Sequence, residues 1–317
     1  MLLAIDVGNT TISIAVVIEL PSNKQNSKTL ASRIHAGESF RVGKEKLNKE
    51  SAHRFVDIKI VSVRQIETAL FPQVLSKKLK QVLSAMTRRY DVQNVFICSV
   101  VPKVLKVLKD ILQKDFKIKP VVIGEDVVVP IKNFYRNPAQ VGQDRLVCSY
   151  AAKQLYGPPA NHGENRRAGE PLIVIDFGTA ITLDVVSKKG EYLGGIIVPG
   201  IRLTAESLFK KTAMLPKVNI QIPRELIGRD TNASILSGIF YGYGALCDGL
   251  IDLISKKMKC HPKIVMTGGY SHLMKKFISK DIYCVDPYLV FKGMNLIVLF
   301  LNPRISVNAC CVTCRGN

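Results

Sequence analysis

At 317 residues the chain exceeds the usual size of a single domain, and its 47% hydrophobic content with 22 glycines suits a globular α/β protein and excludes a disordered or fibrous one. The formal net charge of +20 comes from lysines dispersed over 24–64, 77–119 and 256–280 without interleaved aromatics, which points away from specific nucleic-acid binding. No apolar run has the length expected of a bilayer span, and the first strand begins without a basic, cleavable leader, so the expected compartment is the cytoplasm.

Residues Leu3 to Val7 form an apolar strand with Asp6 inside it, Gly8 makes a turn, and Thr11 onward begins a second strand rich in β-branched residues. Residues 20–55 are polar and basic, with a third strand expected near 29–35. Apolar positions then recur at helical spacing over 65–89 (Ile66, Leu70, Val74, Leu75, Leu79, Val82, Leu83), followed by a strand at 94–101, a helix at about 103–114 and a strand at 120–123. The segment 157–167 is breaker-rich and is expected to be an exposed loop.

The second half repeats the order. Ile173-Val174-Ile175-Asp176-Phe177-Gly178-Thr179 is a near copy of the first hairpin, and it precedes strands at 180–186 and 192–198 and helices at 201–213 and 234–258. A strand at 263–267, a helix near 270–279, a strand at 282–285 and a helix at 287–301 complete the half. The expected division is 1–156, an exposed loop at 157–170, 171–303, and a tail at 304–317. The eight cysteines are expected to be reduced thiols, and the lone C-x-x-C of Cys311 and Cys314 in the tail has no second pair to make a metal site.

An aspartate at a glycine turn suits a hydrated cation, while neighbouring amides and hydroxyls suit phosphate oxygens, so two such hairpins could grip one nucleotide. The duplicated βββαβαβα pattern resembles the actin, sugar-kinase and heat-shock-chaperone ATPase superfamily, with ribonuclease H-like, actin-like domains and a nucleotide cleft expected between them. Fold alone leaves function open. Within that superfamily Asp6 to Thr10, Cys98 to Pro102, Tyr135 to Pro138, Val141 to Arg145, Asp176 to Ala180, Gly194-Gly195, Gly228 to Thr231, Thr267 to Gly269 and Asp286 to Leu289, in this order, resemble the type III pantothenate kinase family.

The resemblance implies ATP-dependent phosphorylation of pantothenate, the first step of coenzyme A synthesis, by a homodimer using Mg²⁺ and a monovalent cation, K⁺ or NH₄⁺. By match to the family's motifs, Asp6, Val7, Gly8, Asn9, Thr10, Thr11, Ile12 and Ser13 contact ATP together with Thr179, and Asp6 also lies near the magnesium. Pantothenate contacts fall on Tyr135, Gly142, Gln143, Asp144, Arg145 and Thr231. Asp144 is the proton acceptor, and Asp176 binds the monovalent cation. Asp230 departs from the family's usual Asn. The competing expectations are a non-catalytic ATP-binding accessory of transcription and a sugar or acetate kinase; Asp144 argues against the first and the Tyr135–Arg145 element against the second.

Overall fold

A computed structural model of the chain describes residues 1–20, 57–157 and 170–301. The expected strand near 29–35, most of the 157–170 loop, and the tail with its C-x-x-C lie outside the described residues. The chain forms two compact units, one of Met1–Val129 with the described residues from Val290 on, the other Pro130–Leu289. They divide at Val129/Pro130, upstream of the 157–170 loop.

In the first unit, β1 (Leu2–Val7) lies at the centre of a five-stranded sheet. It pairs antiparallel with β2 (Thr11–Leu20) and parallel with β4 (Asn94–Ser99). The edges are β3 (Asp57–Glu67) on β2 and the short β5 (Val121–Val122) on β4, giving the order β3-β2-β1-β4-β5. The third strand of this sheet is therefore β3. Ile66, assigned to helical spacing by the sequence, is a strand residue, because Ile58 and Ile60 begin an alternation of period two and the helix starts only at Pro72.

Helices α1 (Pro72–Arg89) and α2 (Pro102–Asp115) each open on a proline, which loses nothing in a first turn because its missing N–H would have no intrahelical partner. Leu75, Leu79, Leu83 and Met86 of α1, with Val104, Leu108, Ile111 and Leu112 of α2, join Leu3, Ile5, Val7 and Ile97 in one core. Each such burial is worth roughly 1.5–3 kcal/mol.

The second unit repeats the sheet. β6 (Leu172–Phe177) is central, antiparallel to β7 (Ala180–Val186) and parallel to β9 (Lys263–Thr267). With β8 (Tyr192–Pro199) and β10 (Cys284–Val285) the order is β10-β9-β6-β7-β8, the same as in the first unit strand for strand. The fold is thus a duplicated α/β architecture, as expected from the repeat. Helix α3 (Gln143–Tyr156) packs on β6 and β7, and α4 (Ile201–Lys211) packs on α5 (Thr231–Met258). The short α6 (Ser271–Met274) precedes a 3₁₀ turn, Lys275–Phe277, and α7 (Leu289–Leu301) ends the described chain.

Helix α5 corrects one expectation: by length and composition it could cross a membrane. Its apolar content has a core use, since Ile235, Ile239, Phe240, Cys247 and Ile251 pack against Ile173, Ile175 and Met266. Gly244 lies so close to the Phe277 carbonyl that a Cβ would overlap it, whereas Gly238 and Gly242 face open space. Asp230 caps α5, its carboxylate accepting from the Ala233 amide at 2.8 Å. An Asn there would cap equally well, so the departure from the family residue conserves the local structure. None of the five cysteines among the described residues forms a disulfide.

Candidate active site

Both hairpins end their first strand on a partly buried aspartate inside an otherwise buried run. In the first, Asp6 pairs across the ladder with Ser13. The turn is closed by the Gly8 amide donating to Thr11 O at 3.0 Å. Thr68, absent from the sequence-based set, fastens this turn from the end of β3: its amide donates to Thr10 O at 2.9 Å and its hydroxyl to Gly8 O at 2.8 Å. Val7 and Ile12 point into the core and are fully buried, so of the predicted ATP-contacting run they can offer a ligand only backbone groups.

The second hairpin places Asp176 across from Thr182. Its turn is backed by Gly200, whose amide donates to Thr179 O at 3.1 Å and whose missing Cβ makes room for the Gly178 and Thr179 carbonyls. Thr179 itself is exposed. Gly268, at φ +88°, sits against Asp176, and a Cβ there would overlap the Asp176 carboxylate. This left-handed backbone explains the glycine that follows Thr267.

Around Asp176 the second unit gathers much of the predicted acceptor element. Gly142 ends the approach to α3 in extended backbone, so Gln143, Asp144 and Arg145 occupy its first turn. The Asp144 carboxylate accepts from the Arg145 amide at 2.8 Å, a donor that the Gly142 carbonyl shares at 3.2 Å. Burial pushes the Asp144 carboxyl above the usual range; the Arg145 amide opposes this and the negative charge of Asp184 adds to it. Burial, followed by the charges of Asp144 and Asp184, pushes Asp176 up to about 7. Neighbouring negative charge thus adds to burial at both carboxyls, the mark of negative charge held without full compensation.

Tyr135 also joins the group. Its ring lies 3.5 Å from where a Gly194 Cβ would stand, and its centroid is 6.4 Å from that of Tyr192. Thr231 does not join: it is exposed on the first turn of α5 and shares no hydrogen bond with these residues among those described. Asp184 and Tyr192, which the sequence reading did not single out, complete the group. Asp184 is 2% exposed and accepts from Tyr192 OH at 2.8 Å. The only sequence signal for it was an acid inside the apolar run of β7.

With this geometry in hand, the comparisons with known proteins become informative. The type III pantothenate kinase family model matches residues 55–253. A type III pantothenate kinase from Sulfurihydrogenibium sp. (strain YO3AOP1) is 39% identical over 204 residues, 64% of this chain and 76% of that one. The chain belongs to the type III pantothenate kinase family. It is therefore a kinase, and members of this family act on pantothenate with ATP and a divalent cation. Among solved structures, a Baf family transcriptional activator from Campylobacter jejuni is 18% identical, with 95% of this chain and 98% of that one covered at a TM-score of 0.49. A ROK family glucokinase from Streptomyces griseus, in complex with glucose and AMPPNP, is 12% identical, with 92% and 96% covered at a TM-score of 0.41.

No group of three His, Cys, Asp or Glu side chains able to hold a metal ion occurs among the described residues. A divalent cation that takes a single carboxylate from the protein would draw the rest of its shell from water and phosphate oxygen. The uncompensated charge at Asp176 fits a cation.

Proposed function

We propose that the protein transfers the γ-phosphoryl group of ATP to the primary hydroxyl of pantothenate, with Asp144 accepting the hydroxyl proton. Family membership carries the reaction. The observation that supports the residue assignment is the raised proton affinity of Asp144, a partly buried carboxylate on the first turn of α3, beside the largely buried Arg145 and close enough to Asp176 for its charge to be felt there. Phosphoryl transfer demands positioning and charge neutralisation more than covalent help, so one well-placed carboxylate with raised basicity is a sufficient chemical group.

Gly142 and Gln143 admit the substrate chain to the end of α3, Tyr135 covers it, and Arg145 donates directed N–H groups to it. Asp6, Gly8, Asn9, Thr10, Thr11 and Ser13 hold the triphosphate through amides and hydroxyls, aided by Thr179. Asp6 would hold Mg²⁺, and Asp176 would hold K⁺ or NH₄⁺. When bound, these cations neutralise charge on the phosphates. The protein works as a cytoplasmic homodimer in this reading, with Thr231 reaching the partner's substrate. An apolar groove of about 350 Å³ between α4 and α5, floored by Gly238 and Gly242 and flanked by Leu208, Ile239 and Leu246, supports a packed partner element.

A coupled ADP-release assay with ATP, Mg²⁺ and K⁺, with and without pantothenate, tests the reading. Turnover should depend on pantothenate, and Asp144→Asn should lower kcat about 10²- to 10⁴-fold while leaving the KM for ATP near its original value. Undiminished turnover in the variant would remove Asp144 from the role.

A further inference from the structure

The buried carboxylate of Asp184 has no part in the reaction as derived so far, yet it accepts hydrogen bonds from three side chains while being almost wholly shielded from solvent. Arg145 donates to it through Nε at 2.9 Å and brings Nη2 within 2.6 Å of the same oxygen, with the two side chains 10% and 2% exposed. Tyr192 OH donates to that oxygen at 2.8 Å, and Thr182 Oγ1 donates to the other oxygen at 2.8 Å. Arg145 Nη2 is buried and, despite the short approach, makes no well-directed hydrogen bond. The guanidinium is thus clamped from one side with donor capacity remaining.

The surroundings are cut to fit this pair. Gly195 faces Asp184 across the β7–β8 ladder. A Cβ there would overlap the Leu183 carbonyl and would also stand 2.7 Å from Arg145 Nη2 and 2.8 Å from Asp184 Oδ1, so the glycine gives room to the ladder and to the pair together. In the first repeat, Asp6 aligns with Asp176, so the registers match Ala15 to Asp184 and Val63 to Gly195. The first repeat builds the corresponding ladder with neither an acid nor a glycine at these places, so the fold does not call for the acid. A buried ion pair gives little net stability, because desolvation offsets the attraction, so stability alone does not explain this one.

We propose that Asp184 is a positioning residue for the acceptor substrate, acting through Arg145: it fixes the guanidinium on the first turn of α3 so that its remaining N–H groups meet pantothenate while Asp144 meets the hydroxyl. Asp184 also cancels the arginine's charge, so Arg145 recognises its ligand by direction and not by net charge. The opposite end of α3 supplies a control. There Tyr156 OH donates to the buried carboxylate of Asp286 at 2.6 Å, a comparable bond remote in sequence from Asp144 and Arg145.

The inference rests on the pantothenate kinase reading, and its test separates the two. Turnover by the unmodified enzyme comes first; its absence would overturn the kinase reading alone, because the hold on Arg145 is read separately by phenylglyoxal labelling mapped by mass spectrometry. Arg145 should be protected in the unmodified protein and label at least tenfold faster in Asp184→Asn. Equal labelling would overturn the proposal. In steady-state assays, Asp184→Asn should raise the KM for pantothenate at least tenfold with the KM for ATP within twofold, and Tyr192→Phe, which removes one bond and keeps the ring, should raise it severalfold. Tyr156→Phe should lower the melting temperature without moving either KM. Unchanged pantothenate KM in both Asp184→Asn and Tyr192→Phe, or equal shifts of both KM values, would assign Asp184 a structural role only.

Discussion

The two hairpins share a strand order, a burial pattern and an aspartate at the same register, yet they differ in everything packed around that aspartate. Beside Asp6, the ladder continues with Ala15 and Val63, and the strand parallel to β1 ends on Ser99, whose hydroxyl accepts from the Val101 amide at 3.1 Å. Beside Asp176, the corresponding places hold Asp184, Gly195 and Gly268. A duplicated scaffold has kept its backbone in both halves and concentrated buried charge in one. The topology is set by apolar strands and turn glycines, and the chemistry by a few residues that the topology tolerates without requiring.

Exchanging residues between the repeats is the strongest way to break this comparison. Gly268→Ser, which imports the first repeat's residue, places a side chain at φ +88° and drives its Cβ into the Asp176 carboxylate. The backbone strain alone is about 1–3 kcal/mol, and the overlap adds to it. The reverse change, Ser99→Gly, loses the two hydrogen bonds its hydroxyl makes to the Val101 backbone and some backbone restriction, about 1–2 kcal/mol. Urea denaturation of both variants measures the asymmetry, and equal losses would contradict it.

A second experiment concerns the charge at Asp176. Its folded pKa of about 7 lies above the ordinary 3.8, so the folded protein holds this proton more tightly than the unfolded chain does. That contribution to stability is fully present below about pH 4 and is lost as the pH rises to about 7, by up to about 1.4 kcal/mol per unit. Added K⁺ should therefore raise the melting temperature at pH 8 and have little effect at pH 5, and Asp176→Asn should abolish the difference. An equal effect of K⁺ at both pH values would place the cation elsewhere.

The smallest effect concerns the cap of α5. Asp230→Ala should cost about 1 kcal/mol in urea denaturation, and Asp230→Asn only a few tenths. A loss in Asp230→Asn as large as in Asp230→Ala would mean that the charge of Asp230, and not its capping bond, matters.

The sequence revealed what is local. A buried strand, an acid and a glycine turn lie within eight residues, so Asp6 and Asp176 were visible, and the glycine-and-acid run at 142–145 marked the start of α3. Asp184 was hidden because its arginine partner is 39 residues away, and a lone acid in a strand looks like the solvent-facing half of an alternation. The edge strand β3 was missed because it follows a long basic segment and leads directly into apolar positions that mimic helical spacing. Thr68 gave no signal, since a hydroxyl that ties down a distant turn is defined only once both strands are in register.

Gly195 has a consequence for the descent of this fold. A Cβ at 195 would overlap the Leu183 carbonyl as well as crowd Arg145 and Asp184, so a lineage that gains a side chain there must move the β7 backbone and disturb the ion pair together, while one that loses the acid still has the carbonyl to keep the glycine. The glycine is held by the backbone and by the ion pair at once, so the acid can be gained or lost without any change at 195, whereas a change at 195 disturbs both.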